Sequence, residues 1–552
     1  MFKLSRACVV VFAGLPAGTS NAIAAANADL GTRIDQTLST TYKADAPGIT
    51  IIVVKDGKTL LRKGYGLADL VRRRPLTPDI VLRIASLTKQ FTATAILTLV
   101  DEGKIKLDDD ITTYLPDYPT GGKKITIEHL LTHTSGIVSY TAKPDLDETR
   151  EYTVQQMIDS FKNDPLEFEP GSRYKYNNSG YFLLGAIIEK VSGKTYDKFV
   201  EERLFVPLGM THTAYEGHER SKAPHAQGYI RNSQGFVPSA AMSMSQPYAA
   251  GALVSTVDDL ARWDAAVSSG KLFKATTWQR AFTPYVLSTG QDTGYGYGWG
   301  LSSFRGMKMV SHDGGINGFN SFALRLPGEK LYVAVLSNAE SGITPASDAA
   351  YKAAAIAIGK PFPDQEVKLA PELLDTYTGV YRIKGVGANG MNIVRRDGGH
   401  LILQRSGSPP FILKAYAEDG FFTTNDLTTY EFTRDASGKS TQLTVHFLTA
   451  DRAGPRAGDV PPARVAIKID PAIFDAYIGR YQLGPNRVLT VSREGGRFWF
   501  DDNGQPKTEM FPLNSKVLFS NDIDVELRFD DAGPGQLVVA QGEGKITVTK
   551  LP

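Results

Sequence analysis

The stretch RIASLTKQFTATAIL, Arg83 to Leu97, decides how the larger part of the chain is read. From Leu87 the apolar positions Leu87, Phe91, Ile96 and Leu99 fall near helical spacing, and no Gly or Pro interrupts before Gly103. The spacing predicts a helix with Ser86 at or just inside its start. Residues three apart share a helical face, so Lys89 projects beside the Ser86 hydroxyl. An amine placed there can take the proton of a serine nucleophile. Taken alone, the same pair reads equally as a helix cap and a solvated lysine.

Working outward, two further elements sharpen the reading. Tyr176 and Asn178, in PGSRYKYNNSGYFLLG, form a Tyr-x-Asn after a Pro-Gly turn and before a helical pattern. His312 and Gly314, in SHDGG, end a strand-like run. Tyr176 follows Ser86 by 90 residues and His312 follows Tyr176 by 136, so Ser-x-x-Lys, Tyr-x-Asn and basic-x-Gly appear in a specific order.

The rest of the chain frames these motifs. From about Gly48 to Gly359 strand and helix patterns are mixed: GITIIVVKDGKTLLRKGYG (48 to 66) reads as a hairpin, and KMVSHDGG, NSFALRLPGEK and LYVAVLSN return to strands after a mostly helical middle. Strands at both ends with helices between predict an α+β fold, an antiparallel sheet closed by both ends of the segment and packed on helices. After KPFPDQEVKLAP (360 to 371) the chain becomes short strand candidates with close turn signals, as in a β-barrel or sandwich. PELLDTYTGVY (371 to 381) and PAIFDAYIGRY (471 to 481) match at Pro, Asp, Tyr, Gly and Tyr with a period of 100 residues, and FFTTNDLTTYEF (421 to 432) answers LFSNDIDVELRF (518 to 529). Two tandem all-β domains follow, 361–460 and 461–552, behind a domain at 25–360. ADRAGPRAGDVPPARVAIKI (450 to 469) reads as a Gly- and Pro-rich link between them.

Residues 1–24 read as a secretory signal: Lys3 and Arg6 precede an apolar run from Ala7 to Ala17, and Ala22, Ile23 and Ala24 make a small-x-small site with cleavage after Ala24 or Ala26. The expected location is therefore periplasmic or secreted, without a membrane span. Removing residues 1–24 takes away two of the 61 basic residues and none of the 59 acidic ones, leaving a balance of zero that argues against a nucleic-acid partner. Cys8, the single cysteine, lies inside the signal, so the remaining chain offers no disulfide, thiolate nucleophile or cysteine-ligated metal.

The three motifs, with LLTHTSG (130 to 136) and YGYGWGL (295 to 301), resemble those of serine β-lactamase and penicillin-binding hydrolases of the class C β-lactamase and D-alanyl-D-alanine carboxypeptidase type, over roughly residues 30 to 355. With two trailing β-domains the organisation is most similar to the three-domain D-stereospecific aminopeptidases, whose trailing domains are eight-stranded, lipocalin-like barrels. VVKDG, GLADL and SLTKQFT carry that likeness. The resemblance implies Ser86, Lys89 and Tyr176 as catalytic residues, with Lys89 or Tyr176 as base. It also implies Asn178, His312 and Gly314 at the substrate, an oxyanion hole from the backbone N–H groups of Ser86 and Gly315, and no cofactor. A lysine neutral at pH 7 costs about 4.6 kcal/mol against its ordinary pKa, so Lys89 must be desolvated. His312 stands where related enzymes carry a lysine that holds a substrate carboxylate. With a reference pKa of about 6.5 it is a weaker, pH-dependent cation. The substrate implied is a small amide, peptide or ester with a D-configured acyl residue. Esterase, weak β-lactamase and a slowly acylating sensor stay open, as do a covering and a gating role for the β-domains.

Competing motifs are weaker. His129 and His133 have the i, i+4 spacing of a zinc pair, but no third ligand recurs nearby and no HExxH is present. GVGANG (385 to 390) fits a dinucleotide pattern yet is followed by the strand-like MNIVRR, which predicts a hairpin loop. SGKT (192 to 195) lacks the glycine a phosphate-binding loop needs at position 188, which is Ile. No G-x-S-x-G is present, against an α/β-hydrolase.

Overall fold

The structure is a computed structural model. It describes residues 17–552 apart from 144–145, 221, 271, 388–389, 485–486, 503–506, 521, 530–532, 534 and 543. The fourth and fifth positions of GVGANG, 388 and 389, thus lie outside the described residues, while the strand after it, Met391–Asp397, is present. The chain forms two compact units, dividing between Phe362 and Pro363.

In the first unit a helix α1 (Ala17–Thr41) leads into the hairpin β1 (Ile49–Lys55) and β2 (Lys58–Tyr65). A 3-10 turn, Ala85–Leu87, opens α2 (Thr88–Asp101), and α3 (Asn178–Ser192), α4 (Tyr248–Gly251) and α5 (Val257–Ser269) follow. The chain then returns through β3 (Gly300–Phe304), β4 (Met307–Ile316), β5 (Phe319–Leu326) and β6 (Leu331–Ser337) to α6 (Ala346–Ala357). The six strands order as β3-β4-β5-β6-β1-β2, all antiparallel, with Ile49 opposite Ser337 where the two ends of the unit meet. Strand alternation sends Ile52, Ala323, Ala334 and Leu336 into the helical core, while Ile51, Val53, Val333 and Val335 are buried on the other face, where α1 and α6 pack. α2 runs through the centre of the helical layer with Phe91, Ala95, Ile96 and Leu99 wholly buried, so its apolar residues surround it instead of forming a stripe.

The second unit holds two closed eight-stranded antiparallel barrels, Gly379–Gly458 and Gly479–Lys550 from first to last strand. The repeat has a structural reason. Tyr381 and Tyr481 each donate their hydroxyl to the carbonyl four residues back, at Tyr377 (2.6 Å) and Tyr477 (2.7 Å). Asp375 and Asp475 each take an arginine from the second strand of their own barrel, Arg396 and Arg493. One expectation needs correction: residues 451–458 do not belong to a link but form the closing strand of the first barrel. Pro455 fits there because pairing to the first strand is short and irregular, Val380 with Gly458 and Tyr381 with Arg456 across a register shift.

Candidate active site

The nucleophile candidate is fixed before its helix begins. Ile84 donates its N–H to Leu253 O (3.0 Å) and accepts from Ser321 Oγ (2.8 Å), tying the turn to the sheet. Ala85 has φ of 47°, a left-handed conformation that L side chains resist, so the step before Ser86 is strained. Ser86 itself lies within the 3-10 turn, two residues before the first residue of α2, and its side chain is partly open.

Lys89, one turn on, is wholly buried. Its Nζ lies 3.0 Å from Ser86 Oγ, 2.8 Å from Asn178 Oδ1 and 2.9 Å from Ala250 O. Burial lowers its pKa from 10.5 to about 7, with the Asp313 carboxylate pulling the other way. A neutral amine has two N–H bonds and one lone pair. Asn178 Oδ1 and Ala250 O can only accept, so they take the two N–H bonds and the lone pair is left facing the Ser86 hydroxyl.

Tyr176 enters on the loop before α3, whose N-cap Asn177 accepts from Gly180 N (2.7 Å) and so begins the helix at Asn178. The Tyr176 ring lies 4.8 Å from Lys89 Nζ. Its outer edge is open, 37 % of the residue being exposed, but burial around the phenol pushes its pKa above the ordinary 10, against a hydrogen-bonding interaction with Ser86. The phenol therefore keeps its proton at neutral pH.

His312 differs from the expectation of a pH-dependent cation. Nδ1 lies 2.6 Å from Asp313 O, which only accepts, so the proton sits on Nδ1 and Nε2 accepts from Tyr295 Oη at 2.8 Å. Burial, then the charge on Lys89, lowers its pKa to about 4. The imidazole is thus neutral, with both nitrogens engaged inside the protein.

Gly314 has no room for a side chain: a Cβ would lie 2.4 Å from Ser321 Oγ, 2.6 Å from Ile84 O and 3.0 Å from Ser86 N. β4 and β5 join through a two-residue turn, Asn317-Gly318, so Ile316, Gly314 and His312 exchange ladder bonds with β5 and the amides of Gly315 and Asp313 face the opposite edge. β3 pairs with β4 only up to Ser311, leaving that edge unpaired where it passes Ser86. The structure thus brings together Ser86, Lys89, Tyr176, Asn178 and Gly314, with the Gly315 amide on the free edge beside them.

Residues not singled out for this chemistry complete the site. His133, 1 % exposed and with φ of 59°, accepts the Asn177 N–H on Nδ1 (3.0 Å) and packs its ring 4.3 Å from Tyr176, 4.7 Å from Tyr295 and 5.1 Å from Tyr181. Its Nε2 has no hydrogen-bond partner among the described residues. Burial, then Lys89 and His312, hold its pKa well below 6.5. His133 lies in LLTHTSG and Tyr295 in YGYGWGL, so both carried a motif signal. Ala250 contributes only a carbonyl and carried none. His129, four residues before His133, uses Nδ1 to accept Thr126 N–H in a capping box.

A family model described as Beta-lactamase matches residues 28–358. The chain belongs to the beta-lactamase family. Like other members of that superfamily it is a serine hydrolase with the penicillin-binding fold. It is 30 % identical over 401 residues to Penicillin-binding protein 4* of Bacillus subtilis, across 68 % of this chain and 87 % of that one. Among solved structures, the octameric penicillin-binding protein homologue from Pyrococcus abyssi matches with TM-score 0.52 and 28 % identity, covering 80 % of this chain and 100 % of that one. The D-amino acid amidase from Ochrobactrum anthropi SV3, complexed with L-phenylalanine amide, matches with TM-score 0.52 and 26 % identity over 60 % of this beta-lactamase family chain and 99 % of the amidase.

Proposed function

We propose that this protein is an exported hydrolase that cleaves small amides, peptides or esters with a D-configured acyl residue through an acyl-Ser86 intermediate. One observation carries the reading: a buried Lys89, near neutrality at pH 7, has its N–H bonds committed to Asn178 and Ala250 and its lone pair on Ser86. Ser86 Oγ attacks the carbonyl carbon as its proton passes to Lys89 Nζ. The oxyanion is held by the N–H groups of Ser86 and Gly315, each donor worth about 2.7 to 4 kcal/mol. Tyr176, kept protonated, gives its proton to the departing nitrogen or oxygen and regains one from Lys89. Water then attacks the acyl carbon, and the same groups return the serine.

The D-amino acid amidase likeness supports an aminoacyl amide as substrate. Paired D- and L-aminoacyl amides and esters, assayed with the wild-type and Ser86→Ala proteins, test it. D-selective turnover that falls at least about a thousandfold in Ser86→Ala is expected. Turnover untouched by the substitution overturns the reading.

A second reading, drawn from relatives named for penicillin binding, is a protein that acylates and does not turn over. Stable +acyl adducts by intact mass, with a β-lactam and with the amides alike and no second turnover, would select it. Multiple turnovers on an ester or β-lactam in place of the amides would make the protein an esterase or weak β-lactamase. Export rests on the basic, apolar and small-residue pattern of residues 1–24. A periplasmic or secreted protein beginning after Ala24 or Ala26 is the expected result, and one beginning at Met1 the contrary one.

A further inference from the structure

The residue two before Tyr176 is also a tyrosine, and it stands open beside the site. Lys175 donates its N–H to His133 O and Asn177 donates its own to His133 Nδ1, each over 3.0 Å. Two amides two residues apart that face one residue mark extended backbone, and Asn177 has φ −144° and ψ 120°. Alternation then sends Tyr174 and Tyr176 out on one side, while Lys175 turns to the other and pairs with Glu167.

The two tyrosines share their neighbours. The Tyr174 ring lies 6.1 Å from that of His133 and 5.9 Å from that of Tyr295, and the Tyr176 ring lies 4.3 Å and 6.4 Å from the same two. Tyr295 donates to His312 Nε2, and the His312 ring is 6.0 Å from Tyr176. Tyr176, His312, Tyr295 and Tyr174 therefore form one aromatic wall. Within it His312 and Tyr295 are buried, whereas Tyr174 is 38 % exposed and has ring surface to offer. Burial lowers His312 to about 4 and raises Tyr174 to about 12, with Tyr176 and Tyr295 raised as well, so all four rings are uncharged at neutral pH.

The proposed mechanism sets where the departing group lies. The carbonyl oxygen is drawn to the amides of Ser86 and Gly315, and Tyr176 protonates the departing atom. On the inner side of Tyr176, Asn178 is committed to Lys89 and to Thr141 Oγ1. A leaving group larger than ammonia consequently passes outward over Tyr176 and meets Tyr174.

We infer that Tyr174 is a specificity-determining residue that stacks on the leaving group, so that the enzyme prefers amides of aromatic amines, or esters of aromatic alcohols, over those of small aliphatic ones. The inference rests on the hydrolase reading above. A ring held in place on one face and open on the other suits an offset or edge-to-face partner at 4.5 to 7 Å, roughly the range of the contacts already present in the wall.

The test compares D-alanine benzylamide with D-alanine methylamide, which differ by one phenyl ring on the departing amine. Wild type should favour the benzylamide by about tenfold in kcat/KM. Tyr174→Phe, which keeps the ring, should hold that ratio within about twofold, and Tyr174→Ala should bring it to within about threefold of unity. The same pair is titrated calorimetrically against the Ser86→Ala protein with and without the Tyr174 substitutions, where the ratio of Kd values should move in the same way. A wild-type ratio near one, a ratio that Tyr174→Ala leaves unchanged because both substrates lose equally, or a ratio lost in Tyr174→Phe as well overturns the inference and leaves the hydrolase reading intact. Absence of turnover counts against that reading, and the Kd ratio still decides the inference.

Discussion

Lys89 is the residue on which the proposed chemistry turns, and its displaced pKa makes two predictions. In the proposed mechanism only the amine accepts the Ser86 proton, so kcat/KM should rise tenfold per pH unit up to about 7 and level off above. His312 and His133 are already neutral over that range and add no second limb. A flat profile between pH 5.5 and 8 would contradict this. For stability the sign runs the other way from a salt-bridged lysine. Between about 7 and the unfolded value near 10.4 the unfolded chain binds more protons, so stability rises with pH across that window, and below 7 the full cost of about 5 kcal/mol stands. Lys89→Met should therefore stabilise the fold more at pH 6 than at pH 9.5 in denaturant melts. His133 pins the loop between Tyr176 and Asn178 through one acceptor atom. His133→Asn keeps an acceptor and tolerates the left-handed backbone, whereas His133→Ala does not replace the acceptor. The alanine variant should lose about tenfold more kcat than the asparagine variant with KM little changed. Equal losses would make His133 merely a packing residue. At this scale Ser86, Lys89, Tyr176 and Asn178 stood out because residue type and spacing expose them. The charge of His312 did not, because a reference pKa says nothing of burial, and neither did the carbonyl of Ala250, which any residue could supply.

At the scale of elements, two neighbouring glycines on β4 should behave oppositely. A Cβ at Gly314 meets backbone and side-chain atoms within 3.0 Å, so Gly314→Ala should cost about 1 to 3 kcal/mol and most of the activity. At Gly315 the nearest atom is Asn320 Oδ1 at 3.6 Å, so Gly315→Ala should fold with nearly unchanged stability. Urea titrations of the two variants check the contrast, and equal destabilisation would mean that β4 does not press on the Ser86 turn. Helix α2 and the hairpin of β1 and β2 were legible from apolar period and turn residues. The closing strand at 451–458 was not: two glycines and a proline read as a link, and only the neighbouring strands of a barrel make that segment extended and paired. The displacement of Ser86 into a 3-10 turn was equally hidden, since it depends on contacts from Leu253 and Ser321 that lie far along the chain.

For the whole molecule, each unit has its own interior. The core around Phe91, Phe182 and Trp263 belongs to the first, and the barrels are filled separately around Tyr381, Phe421 and Phe432 and around Phe474, Phe498 and Leu527. A chain ending at Phe362 should consequently fold, with Ser86 still acylated by an active-site ester probe. Calorimetry of the full chain should show a transition that this shorter chain reproduces. A shorter chain without cooperative unfolding would contradict independent cores. The 100-residue repeat made the barrels readable because each copy keeps the tyrosine and arginine contacts that start it.

The protonation state of Lys89 can be read without any substrate. In protein labelled with 13Cε-lysine, the resonance lost in Lys89→Met is followed from pH 5 to 11. A midpoint at about 7 is the predicted result. A midpoint near 10.4, the value of a solvated lysine, would contradict the claim that Ser86 faces a free amine.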